Sequence, residues 1–189
     1  MRLFLIIVSA VLTIAAEPLY IIDTVRGKIK PERATWLIFS VLGVIAFYGQ
    51  VRLGATSTLV FSGLDTLASF VVLGLSLKHG VGGFTLLDKY GLSVATIGLL
   101  ISLLAHRPLA ALLGVILADA AGMVLTVIKT YKHPATEPYL SWIFFATAAL
   151  CAVFTVRQFT LGILLYPVYL VIANYSIPLV KAFSPHKKN

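Results

Sequence analysis

The sequence predicts an all-α integral membrane protein of seven transmembrane helices, and three observations carry that expectation. The 189 residues are 59% hydrophobic and only 12% charged, with a mean hydropathy of +0.98, which is more apolar than a soluble domain of this length can bury. The apolar residues form continuous Leu/Ile/Val/Ala/Phe runs of the length that crosses a bilayer as a helix, about 20 residues. They lack the alternation, repeated over roughly ten residues, that marks a membrane barrel. The basic residues gather on alternate connecting segments, as they do when helices cross a membrane in turn.

The first run, 3–22, carries Glu17 and Pro18 and ends in the basic turn "RGKIKPE". Residues 1–16 also match a secretory signal, with a basic start and small residues near Ala15. The return of a similar run later in the chain favours a helix. The second run, 35–51, opens on Trp36. The third, 56–77, holds Ser62, Asp65 and Ser69 at helical spacing, so they share one polar face. The fourth, 91–106, is the shortest and is ended by Arg107-Pro108. The fifth, 108–128, repeats the polar-face pattern with Asp119, Gly122 and Thr126. The sixth, 140–156, opens near Trp142 and holds Cys151, and the seventh, 159–180, holds Pro167 and Asn174. One transmembrane domain, 1–189, accounts for the chain.

Formal net charge is +8. If alternate connections are assigned to two sides, one side collects eleven basic residues: Arg26, Lys28, Lys30, Arg33, Lys78, Lys89, Lys129, Lys132, Lys181, Lys187 and Lys188. The other side has Arg2, Arg52, Arg107 and Arg157. This bias sets the N-terminus outside and the C-terminus in the cytoplasm, and it argues against nucleic acid as the partner. The lone cysteine excludes an intrachain disulfide or a cysteine metal site. The four histidines fall at helix ends or in the tail. "HGVGGF", 79–84, lacks the lysine and the setting of a phosphate loop and reads as a flexible connector. With no nucleophile, base and orienting group at plausible spacing, the expectation is a non-enzyme without cofactor or metal.

The second half repeats the first. Trp36 falls on Trp142 at an offset of 106, Arg52 on Arg157 at 105, and Pro18 on Leu125 at 107. At the downstream offset Ser69 falls on Asn174 and Ser62 on Pro167. The expected plan is two parallel three-helix repeats, about 1–78 and 108–183, joined by an inversion helix at about 90–106. An odd number of crossings per repeat needs that extra helix to restore orientation. This 3+1+3 plan, with a proline or polar break before a basic turn in each half, resembles the SWEET and PQ-loop superfamily of small transporters. Where the family name calls for Pro-Gln, the chain has Pro18-Leu19 and Leu125-Thr126. The resemblance implies a bacterial inner (plasma) membrane, a solute pocket at the repeat interface, and a place for Asn174 in its lining.

Of the seven acids, Asp23, Glu32, Asp88 and Glu137 lie in or beside turns. Glu17, Asp65 and Asp119 lie within helices, where an ionised carboxylate costs roughly 2.5 to 3.5 kcal/mol on insertion scales. Pro18 and Pro167 lack a donor N–H and free the carbonyls of Ile14 and Ile163, which makes them candidate hinges. The candidate substrate-binding residues are Asn174, Ser69, Asp65, Asp119, Trp36 and Trp142, with Asp119, Asp65 and Glu17 as proton sites. For the two tryptophans the interfacial aromatic belt is the competing role. The expected function is alternating-access transport of a small polar solute, such as a sugar or other metabolite, with or without proton coupling. The alternative is a non-transporting receptor or scaffold of the same fold. The expected partners are the solute, the lipid bilayer and a second copy in a homo-oligomer.

Overall fold

The structure is a computed structural model. It describes residues 1–52, 57–83, 85–156 and 160–185, with the side chains of 49, 50, 52 and 57–62 outside that description. Arg157, Phe84, His186, Lys187 and Lys188, and the side chains of Arg52 and Ser62, therefore lie outside the described residues. Within them the chain is helical: α1 (Arg2–Val25), α2 (Arg33–Arg52), α3 (Ser57–His79), α4 (Leu86–Leu104), α5 (Pro108–Lys132), α6 (Tyr139–Thr155) and α7 (Leu161–Phe183), with one 3-10 turn, Pro134–Thr136, before α6. Helices α1, α4, α5 and α7 have the length and apolarity to cross a membrane, and α2 and α6 carry the shorter apolar stretches Arg33–Tyr48 and Tyr139–Thr155. Large apolar side chains such as Phe4, Ile14, Leu67, Leu104, Phe154 and Ile172 stand exposed, as lipid-facing positions require.

The helix ends follow their caps more closely than hydropathy. α4 begins at Leu86, upstream of the expected 91, because Thr85 and Asp88 form a capping box that satisfies the first-turn donors. Pro108 opens α5 at the position where its missing N–H costs nothing. α1 and α7 run unbroken through Pro18 and through Pro167 and Pro178.

Two compact units divide the chain, and neither coincides with one half of the sequence. The first comprises Met1–Ile29 and the chain from Val127, and the second comprises Lys30–Thr126.

In the first unit α1 packs on α6, and α6 on α7. Ala16, Tyr20 and Thr24 form the buried stripe of α1 at one-turn spacing. α6 is rich in small buried residues, Ala146, Ala148 and Ala149, which let helix backbones approach. The Ser9 hydroxyl donates to the Ala148 carbonyl at 2.9 Å, and Thr147 and Tyr175 join α6 to α7 through their hydroxyls at 3.1 Å.

In the second unit α2 packs on α3, with Gly43 against Thr66. Ile38, Ala95, Ala118 and Ala121 form a core drawn from α2, α4 and α5, flanked by Phe39, Leu42, Leu92 and Leu99. α4 and α5 touch backbone to backbone. A methyl group built on Gly98 would lie 2.6 Å from the Gly114 carbonyl oxygen, and one on Gly114 would lie 2.5 Å from that of Gly98. Gly98 with Ser102 and Gly114 with Ala118 are small-residue pairs one turn apart, the pattern that admits such contact.

The glycine-rich segment after α3 corrects the expectation of a flexible connector. Arg33 donates to the carbonyls of Ser76, Gly80 and Gly82 at 2.9 Å each, and to Leu77 at 3.4 Å. Its guanidinium thus caps the open carbonyls that end α3. Val81 exchanges backbone hydrogen bonds with Pro31 and Arg33 across a parallel bridge. Gly82 and Gly83 take positive φ of +72° and +110°, which glycine adopts without steric cost.

Candidate functional site

Each unit buries a glutamate at the end where its basic residues gather. Both acids read in sequence as turn residues, and the structure encloses both.

In the first unit Glu137 is 0% exposed. Its carboxylate forms an ion pair with Lys129, itself buried near the end of α5. Tyr20 of α1 donates its hydroxyl to the same carboxylate, 3.1 Å from both oxygens. Trp142 of α6 donates its indole N–H to Oε2 at 2.6 Å. Lys181 of α7 reaches the Glu137 carbonyl. The Tyr20 and Trp142 rings meet edge to face with centroids 6.1 Å apart. One carboxylate therefore ties α1, α5 and α6 together, and the adjoining carbonyl adds α7.

In the second unit Glu32 is 4% exposed and sits as the N-cap of α2. Its Oε2 accepts the Thr35 backbone N–H at 2.6 Å. The Thr35 hydroxyl lies 2.8 Å from both Glu32 Oε2 and the Gly122 carbonyl of α5, and accepts the Thr126 hydroxyl at 3.0 Å. Glu32 Oε1 is buried with no hydrogen-bond partner. Beside it stands Asp88, also 4% exposed, whose Oδ2 accepts from the backbone N–H groups of Gly83 at 2.7 Å and Thr85 at 2.8 Å. Glu32 lies outside the membrane-spanning segments, and burial holds its carboxyl above the ordinary glutamate range. The Thr35 donors pull it the other way, and the Asp88 charge adds to the rise.

The residues expected from sequence divide between the units. Glu17, Pro18, Trp142, Pro167 and Asn174 belong to the first, and Trp36, Asp65, Ser69 and Asp119 to the second. Asp65 and Ser69 are half-buried on α3, and Asp119, Gly122 and Thr126 are all buried, so that face of α5 turns into its unit. The Asn174 side-chain N–H donates to the Leu170 carbonyl one turn back on its own helix at 2.8 Å. Pro18 is exposed and Glu17 half-buried.

Both tryptophans are buried within their units: Trp36 is 7% and Trp142 3% exposed. Trp36 packs edge to face on Phe39 at 5.7 Å, and Trp142 is committed to Glu137 and Tyr20.

Sequence reasoning passed over Glu32, Asp88, Glu137, Tyr20 and Lys129. A usable signal was present, since a glutamate stands shortly before each tryptophan, in "ERATW" and "EPYLSW". Among the described residues no group of three or more His, Cys, Asp or Glu side chains could hold a metal ion. Compared with protein-family models, curated proteins and solved structures, the chain shows no match.

Proposed function

We propose that the protein is a membrane carrier that passes a small polar solute by alternating access. In this reading the chain has the 3+1+3 plan of the SWEET and PQ-loop superfamily, with the N-terminus outside and the basic end of each unit in the cytoplasm. One observation carries it. With α1 matched to α5, α2 to α6 and α3 to α7, helix α1 packs on α6, which packs on α7, while α5 packs on α2 through Thr35 and Gly122, and α2 packs on α3. On that proposed matching, each unit holds the first helix of one repeat with the second and third of the other, and the second unit holds α4 besides.

Each unit has its own packed interior and its own buried glutamate. Rocking transport asks that each of these bodies move as one piece. Ser69 and Asn174, at matched positions, are the proposed solute contacts, with Asp65 and Asp119 as acceptors. Glu17, Asp65 and Asp119 are the carboxylates open to proton coupling. Trp36 and Trp142 are assigned to packing.

Osmotic light scattering from proteoliposomes tests the proposal against a panel of sugars, amino acids, nucleosides and vitamins. The expected result is that at least one solute enters faster than into protein-free vesicles. Asn174→Leu and Ser69→Leu should each slow that entry by about 3- to 10-fold, the worth of one hydrogen bond. Entry of every solute at the protein-free rate contradicts the carrier reading, and saturable binding without entry turns it into a receptor.

A further inference from the structure

Glu32 and Asp88 are assigned no part in moving a solute, and their setting asks for a ligand of its own. Glu32 is enclosed, one of its carboxylate oxygens has no partner, and that oxygen points at Gly82. A methyl group built on Gly82 would lie 2.2 Å from Glu32 Oε1 and 3.5 Å from Asp88 Oδ1, so both acids flank the same spot on the turn. Glycine at +72° is what leaves the space open.

We propose that Glu32, with Asp88 beside it, is a proton-binding site at the basic end of the second unit. Glu32 takes one proton from water and releases it to water, with no other bond made or broken. In the protonated state, the carboxyl group relieves the repulsion between two enclosed acids. It thereby steadies the junction of the α2 start, the α3–α4 turn and the α4 start.

The charged groups around the site favour a proton over a metal ion. From α2 comes Arg33, whose N–H groups are spent on the carbonyls of Ser76, Leu77, Gly80 and Gly82. It forms no ion pair with either acid. The guanidinium and the carbonyls it holds leave a fixed positive charge beside the site, which disfavours a metal cation. From α3 come Lys78 and His79 in the last turn, from α4 Asp88 and the exposed Lys89, and before α2 the exposed Lys30. From α5 come Thr126, through Thr35, and the Gly122 carbonyl, both uncharged. Glu137 in the other unit has Lys129 as its ion-pair partner, whereas the charge that acts on Glu32 is the like charge of Asp88, which a proton on Glu32 relieves.

The raised Glu32 carboxyl has a signed consequence. The folded state holds this proton more tightly than the unfolded chain. The associated stability is present in full below the ordinary glutamate value and is lost as pH rises through the folded value.

The test uses the full-length protein in nanodiscs, titrated from neutral to mildly acidic pH. The readouts are the infrared C=O band of a protonated carboxyl group and the thermal midpoint. The expected result is a band with a midpoint above the ordinary glutamate range, absent in Glu32→Gln and shifted to lower pH in Asp88→Asn. In parallel, the wild-type thermal midpoint falls as pH rises through that value, and the Glu32→Gln midpoint does not follow. Gln retains an acceptor for Thr35, and Asn one for the α4 cap, so both variants keep the local hydrogen bonds. A band unchanged by Glu32→Gln overturns the proposal. So does a stability that responds at fixed pH to added sodium or calcium ions and not to protons. These readouts need no transported solute, so their outcome is separate from that of the carrier reading.

Discussion

Replacing Lys129 with methionine is expected to destabilise the folded protein by about 3–5 kcal/mol, the usual cost of leaving one member of a buried ion pair without its partner. Glu137 cannot turn to water, because it is fully buried between Tyr20, Trp142 and the start of α6. Its two neutral donors remain in the variant but do not supply a charge. The double variant Lys129→Met, Glu137→Gln removes both charges and keeps an amide oxygen for Trp142 and Tyr20. It should recover at least half of the loss, since a missing pair costs less than a broken one. Reversible unfolding in mixed micelles reads both values. A Lys129→Met loss under about 0.5 kcal/mol, the size of an ordinary surface change, would mean that the pair does not hold α5 to α6.

The second large effect concerns the contact between α4 and α5. Gly98→Leu should cost about 3 kcal/mol or more, the upper end of overpacking penalties. A single added carbon there already meets the Gly114 carbonyl oxygen at 2.6 Å and the Ala118 nitrogen at 2.7 Å. These are backbone atoms of a helix, so no side chain can swing aside. Gly74→Leu is the control, because a carbon added at Gly74 meets nothing within 4 Å. Equal stability of the two variants, measured by the same unfolding, would contradict the close approach of α4 and α5.

How much of this was legible in the sequence follows from what each feature depends on. The seven helices were, because a lipid-facing helix must be continuously apolar and its length is set by the bilayer. Their ends were less so. α4 starts early through the Thr85–Asp88 cap, a local hydrogen-bond pattern that a hydropathy window averages away. The buried face of α5 was readable because Asp119, Gly122 and Thr126 recur at helical spacing on an apolar helix.

The carboxylate clusters were hidden for the opposite reason. Glu32, Asp88 and Glu137 stand among lysines and prolines, where charge ordinarily means solvent, and only the three-dimensional meeting of Tyr20, Lys129 and Trp142 shows that Glu137 is enclosed. The grouping of α1 with α6 could not be read either, because periodicity reports which face of a helix is apolar and not which helix covers it.

That grouping is the claim on which the carrier reading stands, and paired cysteines test it most directly. In a Cys151→Ala background, one variant carries Ser9→Cys with Ala148→Cys, across the α1–α6 contact. A second carries Ile38→Cys with Gly122→Cys, where Ile38 lies within 3.6 Å of a carbon built on Gly122. Mild oxidation or a short bismaleimide in the membrane is predicted to join both pairs within one chain. Failure of both pairs to join, with all four thiols still open to a small maleimide, would contradict the exchanged arrangement.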